Sequence, residues 1–240
     1  MATGPPVCCA KRKCGMTPCK AKLAAGGALL SVNPGGANLT AVDMIARYGA
    51  DVIFIDAERS VMGIESVHAM ARAAQAHGLA AVVRTPSREP SEWVRYFDCG
   101  INGLVLPQVE QASDCARLVE TARYATKGRE ADLLLIAQIE SVGGVAELDA
   151  IAGSAGIDLI LVGPNDLAHS MGYLGDTTEP KVVSEVAQVT QRLHSLGVPF
   201  GLPVTMQNAR DWQTRGARFL FTTLDQHLGV GIKALQGVLA

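Results

Sequence analysis

The chain lacks an uninterrupted run of about 18 apolar residues, which is the length that a membrane-spanning helix needs. It also lacks an excess of charge, because its 21 basic and 23 acidic residues give a formal net charge of -2. These two absences argue against a membrane protein and against a surface built for nucleic acid or anionic lipid. No apolar block of the secretory type lies near the N-terminus, so we expect a cytoplasmic protein that acts on a small molecule.

Two kinds of catalytic motif are missing as well. No GxGxxG or P-loop pattern opens any predicted helix, and no glycine-rich phosphate cradle follows the last two predicted strands. No lysine closes a predicted strand, so a Schiff-base mechanism has no candidate nucleophile. The sequence therefore disfavours nucleotides, phosphorylated substrates and imine chemistry.

Cysteine is sparse outside the N-terminus, where CCAKRKCGMTPC holds four of the six cysteines. Successive cysteines there are separated by zero, four and four residues, a spacing that misses the paired pattern of zinc sites. We predict a disordered or loosely attached Cys-rich tail over residues 1–22, in a reduced compartment, and one domain over residues 23–240.

Short β-branched apolar runs alternate with segments of helical periodicity along that domain, as in parallel βα units. The predicted strands are 27–33, 51–57, 79–86, 103–109, 133–140, 159–164, 199–204 and 219–224. Eight such units predict a (β/α)8 TIM barrel, which typically takes roughly 250 residues, and an open doubly wound sheet is the alternative.

Polar residues cluster where these strands end, which in a barrel is the catalytic face. Glu140 and Asp166 follow adjacent strands, and two carboxylates can hold a hard divalent cation such as Mg2+ or Mn2+, with Co2+ or Zn2+ as alternatives. The competing interpretation is that Asp166 caps a helix and Glu140 pairs with a basic neighbour. Arg84 follows the run AAVV and either binds a carboxylate or oxyanion, or forms a salt bridge with Asp56 or Glu58.

These motifs together resemble the HpcH/HpaI-type, metal-dependent class II pyruvate aldolases of the phosphoenolpyruvate/pyruvate barrel superfamily, including 4-hydroxy-2-oxoheptanedioate aldolase. VVRTP (82–86), FDCGINGLVLPQVE (97–110), AQIES (137–141) and GPNDLAHSMG (163–172) carry the resemblance. It implies that Glu140 and Asp166 bind the metal, that Gln138 and Asn165 contact the 2-oxo acid substrate, and that Arg84 stabilises the enolate formed from pyruvate. It also implies a homo-oligomer, expected to be a hexamer with an exchanged C-terminal helix.

The sequence departs from this family at the end of the second strand, in FIDAERS (54–60). The family carries a histidine there that pairs with an aspartate for proton transfer; this chain keeps the aspartate as Asp98 but has Arg59 for the histidine. Arginine stays protonated at neutral pH, so Arg59 cannot accept the proton. It could pair with Asp98 or Glu58, anchor a second substrate carboxylate, or leave proton transfer to metal-bound water; His169 is a candidate substitute base.

Three functions follow from these features. The first is a metal-dependent carbon–carbon lyase that cleaves a 4-hydroxy-2-oxo acid to pyruvate and an aldehyde through an enolate held at the metal. The second is an oxaloacetate decarboxylase or other 2-oxo dicarboxylate lyase in which Arg59 holds the extra carboxylate. The third is a catalytically weak 2-oxo acid binding protein.

Overall fold

The computed structural model describes residues 17–239 and consists of eight parallel strands closed into a barrel. Each strand pairs with the next in chain order, and the last pairs with the first. The strands are β1 Leu29–Asn33, β2 Val52–Asp56, β3 Ala80–Arg84, β4 Gly103–Leu106, β5 Leu134–Ile139, β6 Leu159–Val162, β7 Phe200–Pro203 and β8 Ala217–Thr223. The predicted (β/α)8 barrel is confirmed, and the open doubly wound alternative is wrong.

Helices alternate with the strands around the barrel. They are α1 Pro18–Ala24, α2 Leu39–Arg47, α3 Ile64–Ala76, α4 Pro90–Asp98, α5 Ala112–Thr126, α6 Val142–Ala146, α7 Leu148–Ala152, α8 Pro164–Ser170, α9 Pro180–Ser195, α10 Ala209–Thr214 and α11 Leu224–Leu239. Proline in the first turn of α4, α8 and α9 fits the missing backbone donor of that position.

Side chains alternate between two apolar clusters, one inside the barrel and one between strands and helices. On β2, Phe54 points into the barrel, whereas Ile53 and Ile55 pack outward against the helices. Strands that are buried on both faces carry continuous apolar sequence, which is why the sequence showed β-branched runs rather than alternation. The alternation also decides which side chains near the carboxyl ends of the strands point into the barrel.

The first helix closes the opposite end of the barrel. Cys19 and Leu23 of α1 belong to the inner cluster, and Lys20 Nζ lies 2.8 Å from Asp158 Oδ1. The domain boundary predicted between residues 22 and 23 therefore falls inside a helix that is part of the barrel. The rest of the predicted tail, residues 1–16 with Cys8, Cys9 and Cys14, lies outside the described residues.

The last helix, α11, has no buried residue, and a stripe of its apolar side chains is exposed. The stripe consists of Leu228, Ile232, Leu235 and Leu239. Among residues 17–239, no helix is long and apolar enough to cross a membrane.

Candidate active site

A cavity of about 580 Å3 opens at the carboxyl ends of the strands. Its floor is aromatic: the rings of Phe54 and Phe221 meet edge to face with centroids 4.7 Å apart, and the guanidinium of Arg84 lies 5.8 Å above the ring of Phe54. Polar side chains form the wall above this floor. The cavity therefore offers charged groups to a ligand while apolar rings close its base to water.

Arg84 is held by a carboxylate on the neighbouring strand. The register of β2 and β3 places Asp56 beside Arg84, which donates from Nε to Asp56 Oδ1 at 3.0 Å and from Nη2 to Oδ2 at 2.6 Å. Glu58 Oε2 also lies 3.0 Å from Arg84 Nε, although it has no hydrogen-bond geometry. Burial raises the pKa of Glu58. The salt-bridge interpretation of Arg84 is thus confirmed, yet three of its five N–H donors remain for a ligand.

Glu140 directly follows β5 and is a buried carboxylate. Its Oε1 accepts from the Gln108 N–H at 2.9 Å, and its Oε2 accepts from the Gln138 side-chain amide. Gln108 adopts a left-handed conformation at φ 51°, which is strained for a residue with a side chain and aims this N–H at the carboxylate. Burial, together with the charges of Asp166 and Glu58, raises the pKa of Glu140 to about 7.

The raised pKa of Glu140 leads to a prediction for the metal-free protein. Its free energy of unfolding should fall by on the order of 2 kcal/mol as the pH rises from about 4.5 to about 7. Over that window folded Glu140 keeps a proton that the unfolded chain has released, so a higher pH favours unfolding. Chemical denaturation of chelator-treated protein at pH 5 and at pH 7.5 measures the change. Glu140→Gln should flatten the dependence, and equal slopes for both proteins would contradict it.

Asp166 lies in the first turn of the short helix α8, whose N-cap is Gly163, so the alternative in which Asp166 caps the helix is wrong. Its Oδ1 lies 2.6 Å from Arg59 Nη2. This partner differs from the predicted partners Asp98 and Glu58. The pair joins residues 107 positions apart in the sequence, and barrel closure alone brings them together.

The residues present fit a divalent cation. Four carboxylates face two guanidinium groups at this end of the barrel, which leaves a formal excess of two negative charges when all are ionised. Within residues 17–239 no three His, Cys, Asp or Glu side chains converge as a ligand set, so Glu140 and Asp166 would leave positions for water and substrate. An oxygen-only set of this kind suits Mg2+ or Mn2+ better than zinc.

Two further predicted residues, Gln138 and Asn165, also line the cavity. Gln138 Oε1 is buried and has no partner within the described residues, so an entering ligand or water can satisfy it. A Cβ on Gly163 would lie 2.7 Å from Glu140 Oε2 and 3.0 Å from the Gln138 amide nitrogen. Glycine at this position therefore lets the β6 backbone approach both side chains.

Asp98 does not line this cavity, and within one barrel it is not the partner of Arg59, which pairs with Asp166 instead. It is the exposed last residue of α4, which runs from the carboxyl end of β3 back toward the amino end of β4. That course places Asp98 at the opposite end of the barrel. His169, by contrast, lines the cavity, because it follows Asp166 by three residues on α8.

The sequence interpretation missed the aromatic floor and Leu174. Phe54 and Phe221 could have been found by following the inward alternation along β2 and β8. Leu174, which lines the cavity at φ 52° with 88% of its surface exposed, carries no sequence signal of this kind.

A family model matches most of the chain. The model described as HpcH/HpaI aldolase/citrate lyase covers residues 34–228, a range that includes β2 to β8 and every cavity residue named above. Two relatives show similar coverage. Hydroxypyruvate/pyruvate aldolase of Roseovarius nubinhibens is 28% identical over 86% of this chain and 90% of its own length. The 5-keto-4-deoxy-D-glucarate aldolase of Salmonella arizonae is 30% identical over 78% of this chain and 82% of its own.

A solved structure gives the same result for the fold. The crystal structure of an HpcH/HpaI aldolase/citrate lyase family protein from Burkholderia cenocepacia superposes with a TM-score of 0.85 and 28% identity. The match covers 94% of this chain and all of the other.

Proposed function

Because the chain belongs to the HpcH/HpaI aldolase/citrate lyase family, whose named relatives are carbon–carbon lyases, we propose that it cleaves a 4-hydroxy-2-oxo acid to pyruvate and an aldehyde with a divalent metal. The observation that carries the proposal is the convergence of Glu140, Asp166 and Arg84 on one cavity. Mg2+ or Mn2+ is the proposed cofactor, on the hardness of the two carboxylate ligands.

In this reaction the bond between C3 and C4 breaks and its electron pair moves toward the C2 carbonyl, so negative charge develops on that oxygen. A cation on Glu140 and Asp166 would supply Lewis-acid stabilisation of that charge. Arg84 adds N–H donors from a guanidinium whose direction is fixed by Asp56. Gln138 and Asn165 are the proposed contacts that orient the 2-oxo acid.

The proton of the C4 hydroxyl needs an acceptor, and C3 of the enolate must then gain a proton to give pyruvate, so the acceptor of the first proton can return it there or to solvent. Arg59 cannot be this acceptor, because its guanidinium stays charged. Its ion pair with Asp166 raises the pKa of Arg59 further. His169 lines the cavity, and histidine is the residue type that most often serves as a general base, so we propose His169 as the acceptor. Asp98 has no route to this proton within one barrel.

The proposal is tested by pyruvate release from a 4-hydroxy-2-oxo acid and from oxaloacetate, each with and without Mn2+ after chelation. Metal-dependent cleavage of the hydroxy-oxo acid is the expected result. If the protein releases pyruvate from oxaloacetate but not from the hydroxy-oxo acid, and does so faster than free Mn2+, the decarboxylase is favoured. This function is the second candidate because the exposed charge of Arg59 lies at the cavity mouth. Mn2+ and pyruvate binding without turnover of either acid would favour the binding protein.

We also propose that α11 packs against a second copy of the chain in a homo-oligomer. Burying the stripe that contains Leu228 and Leu235 would remove apolar surface from water. The double variant Leu228→Glu/Leu235→Glu should therefore form smaller species than the parent protein. Light scattering after size exclusion measures the mass of the species. As a control, Gln236→Glu adds charge at a polar position of the same helix and should leave that mass unchanged. A parent mass near 25.2 kDa would contradict the proposal.

A further inference from the structure

Arg59 occupies the carboxylate that the proposed cation needs. Its Nη2 lies 2.6 Å from Asp166 Oδ1, and the two side chains are 57% and 31% exposed. A guanidinium and a divalent cation repel each other, so both cannot sit at bonding distance from Asp166 Oδ1 without a penalty. Binding of the cation should therefore release Arg59.

The released side chain would stay at the mouth of the cavity. The Arg59 backbone N–H donates to Asp56 Oδ1 at 3.2 Å, so the backbone of Arg59 is held at the strand end that also fixes Arg84. Only the long side chain of Arg59 can change its position. The exposed, permanently charged guanidinium of Arg59 beside the cavity can form a two-point hydrogen-bonded ion pair with a carboxylate that projects from a bound ligand.

We propose that Arg59 exchanges partners: it holds Asp166 while the cation is absent, and it binds the distal carboxylate of a dicarboxylic 2-oxo acid once the cation has taken Asp166. This inference rests on the proposed metal-dependent lyase and names its substrate class. Because coupling between two binding sites is reciprocal, the cation and a dicarboxylate must each strengthen the binding of the other. A monocarboxylic 2-oxo acid lacks the group that Arg59 would capture.

Isothermal titration with Mn2+, in the presence and absence of ligand, tests the exchange. The ligands are pyruvate and 2-oxoglutarate, which carries a distal carboxylate but no 4-hydroxyl and so cannot be cleaved. Without ligand, Arg59→Ala should bind Mn2+ about two- to fivefold more tightly than the parent, as expected for loss of an exposed competing ion pair. With Mn2+ bound, the variant should lose at least about tenfold in 2-oxoglutarate affinity and less than about twofold in pyruvate affinity.

Arg192→Ala is the matched control. Arg192 forms an exposed ion pair with Asp149, with Nη2 and Oδ2 2.5 Å apart, and neither residue lines the cavity. This variant removes the same charge and should leave all three affinities unchanged. An equal effect in Arg192→Ala would mean that net charge, rather than partner exchange, governs binding, and would overturn the inference.

Two outcomes separate this inference from the proposed function. If the parent and Arg59→Ala bind Mn2+ equally and Glu140→Gln abolishes binding in both backgrounds, the metal site stands and the exchange alone is overturned. If neither protein binds Mn2+, the proposed metal-dependent lyase fails and the exchange fails with it.

Discussion

Replacing Glu140 with glutamine is expected to lower kcat/KM for pyruvate release by about 10^3-fold, on the scale of losing a principal electrostatic stabiliser of the developing oxyanion. The substitution removes one of two proposed metal carboxylates and keeps the size of the side chain. Calorimetric titration should show Mn2+ binding lost in parallel. Retention of activity within tenfold of the parent would contradict the proposed role of Glu140.

The fold should tolerate this change, so the loss can be assigned to chemistry. The new side-chain oxygen can still accept from the Gln108 N–H. The new amide group would face Gln138, whose Oε1 has no partner within the described residues and can accept from it after the Gln138 amide turns over. Thermal melting of metal-free protein at pH 7.5 should therefore show Glu140→Gln at least as stable as the parent.

Glu110→Gln provides a matched control for charge. Glu110 Oε1 accepts from the Ser141 hydroxyl at 2.6 Å at the same end of the barrel, but Glu110 does not line the cavity. Its replacement removes one negative charge close to the site and should leave Mn2+ binding and pyruvate release within about twofold of the parent, as for a screened exposed charge. A large loss in this variant would point to general electrostatics instead of coordination.

Periodicity was enough to predict the barrel, because β2, β4, β5 and β6 are buried along their whole length and so appear as short apolar runs. The ends of the elements also carried usable signals, as at Pro90 and Pro180, where helices begin. Helix α1 was missed because its seven residues hold only two buried side chains, Cys19 and Leu23, within a segment dominated by cysteine and lysine. The sequence could not distinguish the seven-residue helix α8 from a turn, because its start, Gly-Pro-Asn-Asp, is typical of both.

Residues of the candidate site were predicted where a motif lies at a strand end. They were not predicted where the contact joins two residues that are distant in the sequence. Glu140 directly follows β5, so the direction of that strand is enough to place Glu140 at the carboxyl end of the barrel. Asp98 lies in a motif between β3 and β4, but a motif does not reveal which end of the barrel its residues face; the helix course does. The pairing of Arg59 with Asp166 depends on barrel closure, which no local pattern encodes.

Replacing Arg84 with lysine is expected to lower kcat/KM by about 10^2-fold, as for the loss of one oxyanion donor. Lysine keeps the charge but cannot form the two-point contact with Asp56, so its ammonium group cannot hold that carboxylate and face the cavity in the same geometry. Kinetics with the hydroxy-oxo acid measure the effect; if kcat falls with KM unchanged, Arg84 acts in the transition state rather than in binding.

Arg84→Ala should add a loss of stability of about 3 kcal/mol, because Asp56 is only 5% exposed and would be left as a buried, unpaired charge. Combining this change with Asp56→Asn removes that charge, so the double variant should regain much of the stability while remaining inactive. The two effects separate the roles of the residue: the stability belongs to the ion pair with Asp56, and the rate belongs to the donors that face the cavity. Recovery of both stability and activity in the double variant would show that Arg84 serves only to neutralise Asp56.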